Sequence, residues 1–308
     1  MREFIIHTIK GIGMGAANVI PGVSGGTIAL ITGIFERLIN ALKSFGITAI
    51  KLLFSGRIKE LFRHIDFYFL AAVLSGVVIA IFSLARLFEF LFRSYPVYIW
   101  SYFFGLILAS VFFVGGTVRR WSVAVIISFT LGTFVALIIS FLNPAIENQN
   151  FFYLILCGVA GVCSMILPGI SGSFILILMG NYYLIVIDAV NNLRFEILTP
   201  VAIGIVVGLI GFSHLLSWVY GRYRNQTIAL LTGFILGSLL IIWPWKEKIY
   251  VLDTMGNVLM KAGEPVVARY QATLPEGMNI GFFIALLIMV IGVATITLIE
   301  KLSLKETK

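Results

Sequence analysis

The chain has 308 residues, of which 60% are hydrophobic and 12% are charged, and its mean hydropathy is +1.05. Soluble domains carry about 25% charged residues, so this composition excludes an ordinary soluble protein and indicates an integral membrane protein. The net charge of +8 is better explained by lysine and arginine on the cytoplasmic side of a membrane than by nucleic-acid binding.

The apolar stretches predict an all-α fold. Runs of about 20 apolar residues match membrane-spanning helices and not the alternating ten-residue strands of a barrel. Six continuous stretches are long enough to span the bilayer: residues 66–92, 96–116, 121–142, 200–220, 227–245 and 280–299.

Two further apolar regions, residues 4–43 and 151–190, are divided by proline and glycine. Each half has roughly 15 to 18 residues, slightly short of a full crossing. We therefore expect each region to form a re-entrant helical hairpin, with the dividing motif at its tip.

The dividing motif occurs twice. Pro21-Gly22-Val23-Ser24-Gly25-Gly26-Thr27 is followed 147 residues later by Pro168-Gly169-Ile170-Ser171-Gly172-Ser173-Phe174. A duplicated helix break within hydrophobic sequence is typical of membrane transporters with a central binding site. The same offset relates two glycine pairs outside the motif, Gly11 with Gly158 and Gly33 with Gly180.

A second internal match divides the chain into two halves. Residues 76–115 align without gaps to residues 204–243 at an offset of 128. The halves are residues 1–142 and 151–300, each with one hairpin and three spans, within a single membrane domain. Because three is an odd number of crossings, the second half is expected to be inverted relative to the first.

Charge predicts the orientation. The linker after the first hairpin is basic and is expected to form an amphipathic surface helix on the cytoplasmic side. Six crossings then place residues 119–120, residues 222–224 and both termini in the cytoplasm, and place residues 143–150, which lack lysine and arginine, outside. Two full crossings in each hairpin region would give the same parity. The linker's basic residues are Lys43, Lys51, Arg57, Lys59 and Arg63.

The motifs carry groups that suit an anion. Ser24 and Ser171 are placed to cap the second half-helices, whose first N–H groups bind phosphate or carboxylate. Glycines at the tips leave these amides open, and hydroxyl groups add donors. The alternative is that the breaks only let helices kink and pack. The expected anion-binding residues at the tips are Ser24, Gly25, Gly26, Thr27, Ser171, Gly172 and Ser173.

Charged residues inside apolar segments are the next candidates, because intramembrane charge is costly and usually functional. Arg86 and His214 occupy equivalent positions in the two halves and are expected to hold an anion from two sides. An interfacial ion pair between Arg86 and Glu89 is the alternative for Arg86. Asn18 is expected to bond either loop backbone or substrate.

Three carboxylates are candidates for ion or proton coupling: Glu36, Glu89 and Asp188. Asp188 has no obvious partner nearby in the sequence, and solvation at the interface is the alternative for Glu36 and Asp188.

The segment from Gly13 to Thr27, together with Leu167-Pro168-Gly169-Ile170-Ser171-Gly172-Ser173, closely resembles the bacterial polyprenyl-phosphate (undecaprenyl-phosphate) transporter family, a membrane family formerly of unknown function. The resemblance covers nearly the whole chain. It implies a translocase that returns undecaprenyl phosphate, the lipid carrier of cell-wall synthesis, from the outer to the cytoplasmic leaflet of the bacterial inner membrane. Its partners would be this lipid and the surrounding membrane lipids, and a homo-oligomer is compatible with the sequence.

Two other functions stay open on the residues alone. Glycine- and serine-rich helix ends also suit a small-anion channel or exchanger. An intramembrane lipid phosphatase with Ser24 or Ser171 as nucleophile lacks a convincing base. We therefore expect a transporter and not an enzyme, with no cofactor and no metal site, since Cys157 and Cys163 lack a metal-ligand spacing.

Overall fold

The computed structural model describes residues 2–19, 24–142, 145–250, 260–261, 264–265, 267–275 and 277–306. The first half of the chain is helical. Its helices are α1 (Arg2–Val19), α2 (Gly25–Ile31), α3 (Phe35–Lys43), α4 (Ile47–Phe54), α5 (Ile58–His64), α6 (Phe67–Ser94), α7 (Pro96–Gly116) and α8 (Val123–Phe141).

The second half is also mainly helical. Its helices are α9 (Phe151–Ile166), α10 (Gly172–Leu178), a π-helical segment (Tyr183–Asp188) that continues into α11 (Ala189–Asn191), α12 (Phe195–Arg222), α13 (Arg224–Ser238) and α14 (Ile280–Glu306). Among the described residues between α13 and α14 there are four strands: β1 (Lys246–Tyr250), β2 (Met260–Lys261), β3 (Glu264–Pro265) and β4 (Val267–Ala272).

Five helices in the described part of the chain are long and apolar enough to cross a membrane: α6, α7, α8, α12 and α14. Large apolar side chains on their outer surfaces are exposed, as lipid-facing residues are; Phe134 of α8 and Leu287 of α14 are examples. The chain is therefore a multi-pass, mainly helical membrane protein.

The structure differs from the sequence expectation at residues 227–245. Only 15 residues form α13, which ends at Ser238. The chain beyond it is held by the strands, because the Trp243 indole donates to the Thr273 carbonyl and the Thr273 amide donates to the Trp245 carbonyl, each at 2.9 Å. The antiparallel pairs β1 with β4 and β2 with β3 are a small β addition to a fold that the sequence predicts as all-α.

The two hairpin regions also differ from the sequence expectation, which gives each hairpin two halves of similar length. The first arms, α1 and α9, have 18 and 16 residues, but each second arm stops after the seven residues of α2 or α10. Gly33 and Gly180 end these short helices in the left-handed conformation, with φ of +72° and +73°. Glycine adopts this conformation without steric cost and commonly terminates helices.

The main core lies between α1, α2 and α3 of the first half and the spanning helices of both halves. Phe35, Ile107 and Ile235 are among its fully enclosed members. A smaller core joins α9, the π-helical segment and α12 through Leu154, Leu184 and Ile197.

Four helix pairs form the framework: α1 with α6, α9 with α12, α7 with α14 and α8 with α13. Two glycines face each other across every pair, and a Cβ on either glycine would collide with a backbone carbonyl of the opposite helix. Small residues of this kind let helices in a membrane approach backbone to backbone. The pairs are Gly11 with Gly76, Gly158 with Gly204, Gly105 with Gly292 and Gly132 with Gly233.

The basic segments meet on one side of the molecule, here called the basic face and consisting of residues 40–63, 117–120 and 222–226. The Lys43 ammonium donates to the Ser217 hydroxyl at 3.4 Å, which donates to the Asn40 side chain at 2.9 Å, so α3 is joined to the end of α12. Arg119 and Arg222 line one cavity. The loops before α8 and α13 are therefore adjacent.

A matched pair of glycine substitutions in α12 tests the close helix contacts. Gly204→Ala places a methyl group against the Ile155 carbonyl, so we expect the free energy of unfolding to fall by roughly 1 to 3 kcal/mol. A Cβ at Gly211 meets nothing within 4 Å, so Gly211→Ala should leave stability unchanged or raise it slightly. Thermal unfolding of both variants in detergent measures the difference, and equal losses would contradict the close contact.

Lys246 gives the protein a pH-dependent stability. Its ammonium lies 3.2 Å from the centre of the Trp100 ring and donates to the Ile241 carbonyl at 2.8 Å. Burial lowers the pKa of this lysine from 10.5 to about 7. Between these two values the unfolded chain holds a proton that the folded chain has released, so the free energy of unfolding rises with pH.

We expect wild type to gain stability relative to Lys246→Met as the pH is raised from about 7 to about 10. Methionine retains the apolar packing on Trp100 but has no proton to lose. Melting temperatures of both proteins across this interval provide the measurement. Parallel curves would show that burial does not lower the pKa of Lys246.

Candidate functional site

The two motif regions meet in the interior. Ser24 is the N-cap of α2, and its hydroxyl oxygen accepts a hydrogen bond from the Gly26 amide at 3.1 Å. The same hydroxyl donates to the carbonyl of Leu167, immediately before the second motif, at 3.0 Å. Residues 20–23, which include Pro21 and Gly22, lie outside the described residues.

A second hydrogen bond joins the motifs. The amide of Gly169 donates to the hydroxyl of Thr27 at 3.0 Å, and Thr27 is fully buried. Gly169 has a φ of +87° and lies against the backbone of Phe234 in α13. Gly26 lies similarly close to the carbonyl of Ile166. The first motif therefore contacts the second motif through Thr27 and Gly169, and contacts the two residues before it through Ser24 and Gly26.

The first tip satisfies its own amides. The Asn18 side-chain oxygen accepts from the Gly25 amide at 2.8 Å, Ser24 accepts from Gly26, and the Thr27 amide bonds the Ser24 carbonyl at 3.0 Å. The expectation that Gly25 and Gly26 present open amides is therefore not met in this conformation. Of the two roles expected for Asn18, the structure shows the hydrogen bond to loop backbone.

The second tip differs. Ser171 is the N-cap of α10, but its hydroxyl lies 3.5 Å from the Phe174 amide and 2.7 Å from the hydroxyl of Ser173. Within the described residues, the amides of Gly172 and Ser173 donate no hydrogen bond. The position equivalent to Asn18 is Met165, whose side chain packs on Gly172 and cannot cap these donors in the same way.

Both short helices are also held at their far ends. The Lys10 ammonium donates to the Thr32 carbonyl, and the Tyr153 hydroxyl donates to the Met179 carbonyl, each at 2.9 Å. Thr32 and Met179 are equivalent C-cap residues. Sequence reasoning missed both contacts, although an isolated lysine within an apolar helix is a usable signal.

The expected cations do not both appear at the tips. His214 is exposed on α12, where its Nδ1 lies 2.8 Å from the carbonyl of Ile210 in its own helix. Its ring lies beside Gly46, between α3 and α4, at the basic face. The backbone of Arg86 and Glu89 is part of α6, but their side chains lie outside the described residues.

Glu36 lines a cavity of about 500 Å³ at the basic face. Beside it, Arg37 forms two hydrogen bonds with Asp66, at 2.6 and 3.1 Å, and stacks on the Phe69 ring at 4.4 Å. This ion pair joins α3 to the start of α6. The cavity is lined by Gly33, Glu36, Arg37, Asn40, Ala41, His64 and Asp66.

Asp188 has a partner that the sequence analysis missed. Arg194 donates to it at 2.6 Å, and the Asn192 side chain donates to it at 2.8 Å. Arg194 comes directly before α12, and Asp66 comes directly before α6. The two residues occupy equivalent positions in the two halves, because they are 128 residues apart. The two halves therefore use ion pairs of opposite polarity at equivalent helix starts, and the close sequence spacing of residues 188 and 194 was an available signal.

The described part of the site offers hydrogen-bond donors. Among the described residues, neither Ser24 nor Ser171 has a histidine or carboxylate within hydrogen-bond distance, which an activated serine requires. The amides of Gly172 and Ser173, together with the hydroxyls of Ser171 and Ser173, suit a group with several acceptor oxygens.

Comparisons with known proteins agree on one family. The model of the undecaprenyl phosphate translocase-like family matches residues 14–259. The chain is 37% identical over 303 residues to the polyprenyl-phosphate transporter of Vibrio cholerae, covering 97% of each chain. It is 29% identical over 267 residues to the polyprenyl-phosphate transporter of Staphylococcus aureus, covering 79% of this chain and 88% of that one. No solved structure matches the chain.

Thr27 allows the contact between the motifs to be tested. Thr27→Val keeps the shape of the side chain but leaves the buried Gly169 amide without an acceptor, so we expect a loss of about 1 to 3 kcal/mol in the free energy of unfolding. Thr232→Val is the matched control, because that buried hydroxyl only bonds a carbonyl of its own helix. Thermal unfolding compares them, and a larger loss in the control would contradict the contact.

Proposed function

The chain belongs to the undecaprenyl phosphate translocase-like family, and from this membership we propose that it moves undecaprenyl phosphate from the outer to the cytoplasmic leaflet of the bacterial inner membrane. The protein is a transporter and not an enzyme, as the names of the family and of its relatives indicate. Its direction and mechanism are our proposal. Moving a phosphate group through hydrocarbon without a partner is prohibitively costly, so the transporter must supply a polar site within the membrane.

The direct contact between the two motifs carries this proposal. Two tips joined by the Ser24–Leu167 and Thr27–Gly169 hydrogen bonds give one shared location for the phosphate. The phosphate oxygens would accept hydrogen bonds from the unpartnered amides of Gly172 and Ser173 and from the hydroxyls of Ser171 and Ser173. Arg86 of α6 and His214 of α12 are further proposed contacts of the headgroup, and His214, at the basic face, would meet it away from the tips.

We further propose that the chain is an inverted repeat with two re-entrant hairpins. The pairing of α1 with α6 corresponds to that of α9 with α12. Exchanging the halves also converts the α7 and α14 pair into the α13 and α8 pair, so all four framework contacts obey one pseudo-twofold relation. The equivalent glycine ends at Gly33 and Gly180 support the same repeat.

Alternating access is the proposed mechanism. The Arg37–Asp66 and Asp188–Arg194 ion pairs attach the hairpin of each half to the start of its own span. If the halves are inverted, these attachments lie on opposite faces and favour opening to one leaflet at a time. Glu36, at the cavity of the basic face, is the first candidate for coupling to a proton or ion, with Glu89 and Asp188 as further candidates.

Orientation follows from charge. We propose that the basic face, with both termini, is cytoplasmic, because arginine and lysine are enriched in cytoplasmic loops. The loops before α8 and α13 are neighbours at this face, as the predicted number of crossings requires. Residues 145–150 would then face the outside.

Exchange of undecaprenyl phosphate between the leaflets of reconstituted vesicles tests this function. We expect Ser171→Ala to slow exchange by roughly tenfold or more, because a hydrogen bond to a charged group contributes about 1.5 to 3 kcal/mol. Ser24→Ala and Arg86→Ala should slow exchange as well. Ser110→Ala is the matched control, since that buried hydroxyl bonds its own helix at Leu106.

Normal exchange in all three site variants would rule out the proposed site. Chloride flux through wild type without any lipid-phosphate exchange would instead favour a small-anion channel or exchanger. Accumulation of the carrier in the outer leaflet of cells that lack the protein would support the proposed direction.

A further inference from the structure

A second polar cavity lies at the basic face, apart from the motifs. Its volume is about 460 Å³. The loop after α7 and the junction between α12 and α13 form its walls, so residues more than 100 positions apart in the sequence contribute to it. It is lined by Thr117, Arg119, Arg222, Arg224, Asn225 and Gln226.

The cavity carries three positive charges and no negative one among these residues. Within the described chain, none of its three arginines lies within ion-pair distance of a carboxylate, whereas Arg37, Arg57 and Arg194 do have such partners. The three guanidinium groups thus concentrate charge in one small space. Such a cluster attracts anions and is relieved when one binds.

Aromatic rings position two of the arginines without consuming most of their donors. The Arg222 guanidinium lies 5.7 Å from the centre of the Tyr223 ring, and that of Arg224 lies 5.7 Å from the centre of the Tyr220 ring. Of these two arginines in the described chain, Arg222 also donates a hydrogen bond to a tyrosine, from its Nε to the Tyr223 hydroxyl at 3.3 Å. A guanidinium beside a ring keeps its in-plane N–H groups available for the forked contacts that phosphate accepts.

The start of α13 contributes to the same wall. This helix of 15 residues begins at Arg224 and has no side-chain cap at Tyr223. Asn225 and Gln226, in its first turn, line the cavity. The amides of a first turn lack partners in the helix and favour negative charge, which adds to the three arginines.

Exposed aromatic side chains around the cavity indicate its depth in the membrane. Trp121, Trp218 and Tyr223 are all about half exposed, at 48%, 59% and 44%, and all lie beside the segments that form the cavity. Tryptophan and tyrosine gather where the hydrocarbon meets the headgroups. This aromatic surround favours a position of the cavity at the level of the lipid headgroups.

We propose that this cavity is a second anion site, which binds the phosphate group of an anionic lipid or of a soluble phosphate at the basic face. The depth of the cavity favours the lipid headgroup. Binding there requires neither motif and does not depend on transport activity. Arginine side chains supply the forked hydrogen bonds, and Thr117, Asn225 and Gln226 supply further polar contacts.

Binding of defined lipids to the purified full-length protein tests the site. The probes are phosphatidylglycerol, zwitterionic phosphatidylcholine as reference, and inorganic phosphate and pyrophosphate as the soluble source. We expect the triple change Arg119→Gln, Arg222→Gln and Arg224→Gln to weaken phosphatidylglycerol binding, measured by native mass spectrometry, by about tenfold or more. Arg120→Gln removes the same charge from the same loop but not from the cavity lining, and should weaken binding less than about twofold.

The outcomes separate the sources. If the triple variant loses binding of phosphatidylglycerol but not of the soluble anions, the cavity binds lipid headgroups. If it loses binding of inorganic phosphate or pyrophosphate, measured by calorimetry, but not of phosphatidylglycerol, the cavity binds a soluble anion. If Arg120→Gln has the same effect as the triple change, or if no probe loses affinity, the site is refuted. Should the triple variant fail to fold, Arg119→Gln in the exposed loop decides, and unchanged binding of every probe there refutes the site.

Discussion

A helix that ends in the apolar interior of a protein leaves backbone groups that need hydrogen-bond partners there, and the structure around the motifs follows from that constraint. Asn18 and Ser24 accept from the first amides of α2, while Lys10 and Tyr153 donate to the carbonyls at the ends of α2 and α10. Most of these partners are polar side chains in otherwise apolar segments. Each lies where it can form a hydrogen bond with a backbone group at the end of α2 or α10.

The same constraint distinguishes the second tip from the first. Where Asn18 completes the first tip, the second half has Met165, which has no oxygen to accept from an amide. The amides of Gly172 and Ser173 therefore need an acceptor from outside the protein before they are hydrogen-bonded as fully as the first amides of α2. Under the proposed function, the phosphate is that acceptor, and the repeat is asymmetric in chemistry while remaining similar in backbone.

Sequence reasoning predicted the helices better than the contacts between them. The apolar runs predicted spanning helices where α6, α7, α8, α12 and α14 lie, because length and hydropathy decide a membrane helix locally. Their ends were less predictable: α12 begins at Phe195 and not at residue 200, and α14 continues to Glu306. The early end of α13 was not predictable in this way, since strands from a distant loop hold residues 243 and 245. The seven-residue length of α2 was readable in principle, because the repeated glycines at 33 and 180 are typical of left-handed helix ends.

The candidate site was predicted in part, for a related reason. The duplicated motif identified Ser24 and Ser171 as caps, since capping depends on neighbouring residues along the chain. The hydrogen bonds of Thr27 with Gly169 and of Arg194 with Asp188 depend on how the chain folds back, and a single sequence shows such pairs only as separate polar residues. The expected meeting of Arg86 with His214 likewise depended on a symmetry argument, and the structure places His214 at the basic face.

The contacts also limit how the molecule can move under the proposed mechanism. Reciprocal glycines hold α1 against α6 and α9 against α12, and a backbone-to-backbone contact tolerates little sliding because there are no flexible side chains at the crossing. Each hairpin arm therefore moves with its own span. The hydrogen bonds from Ser24 and Thr27 to the second motif join the tips to each other, so exposure of the phosphate to one leaflet and then the other must come from rotation of these paired helices about the joined tips.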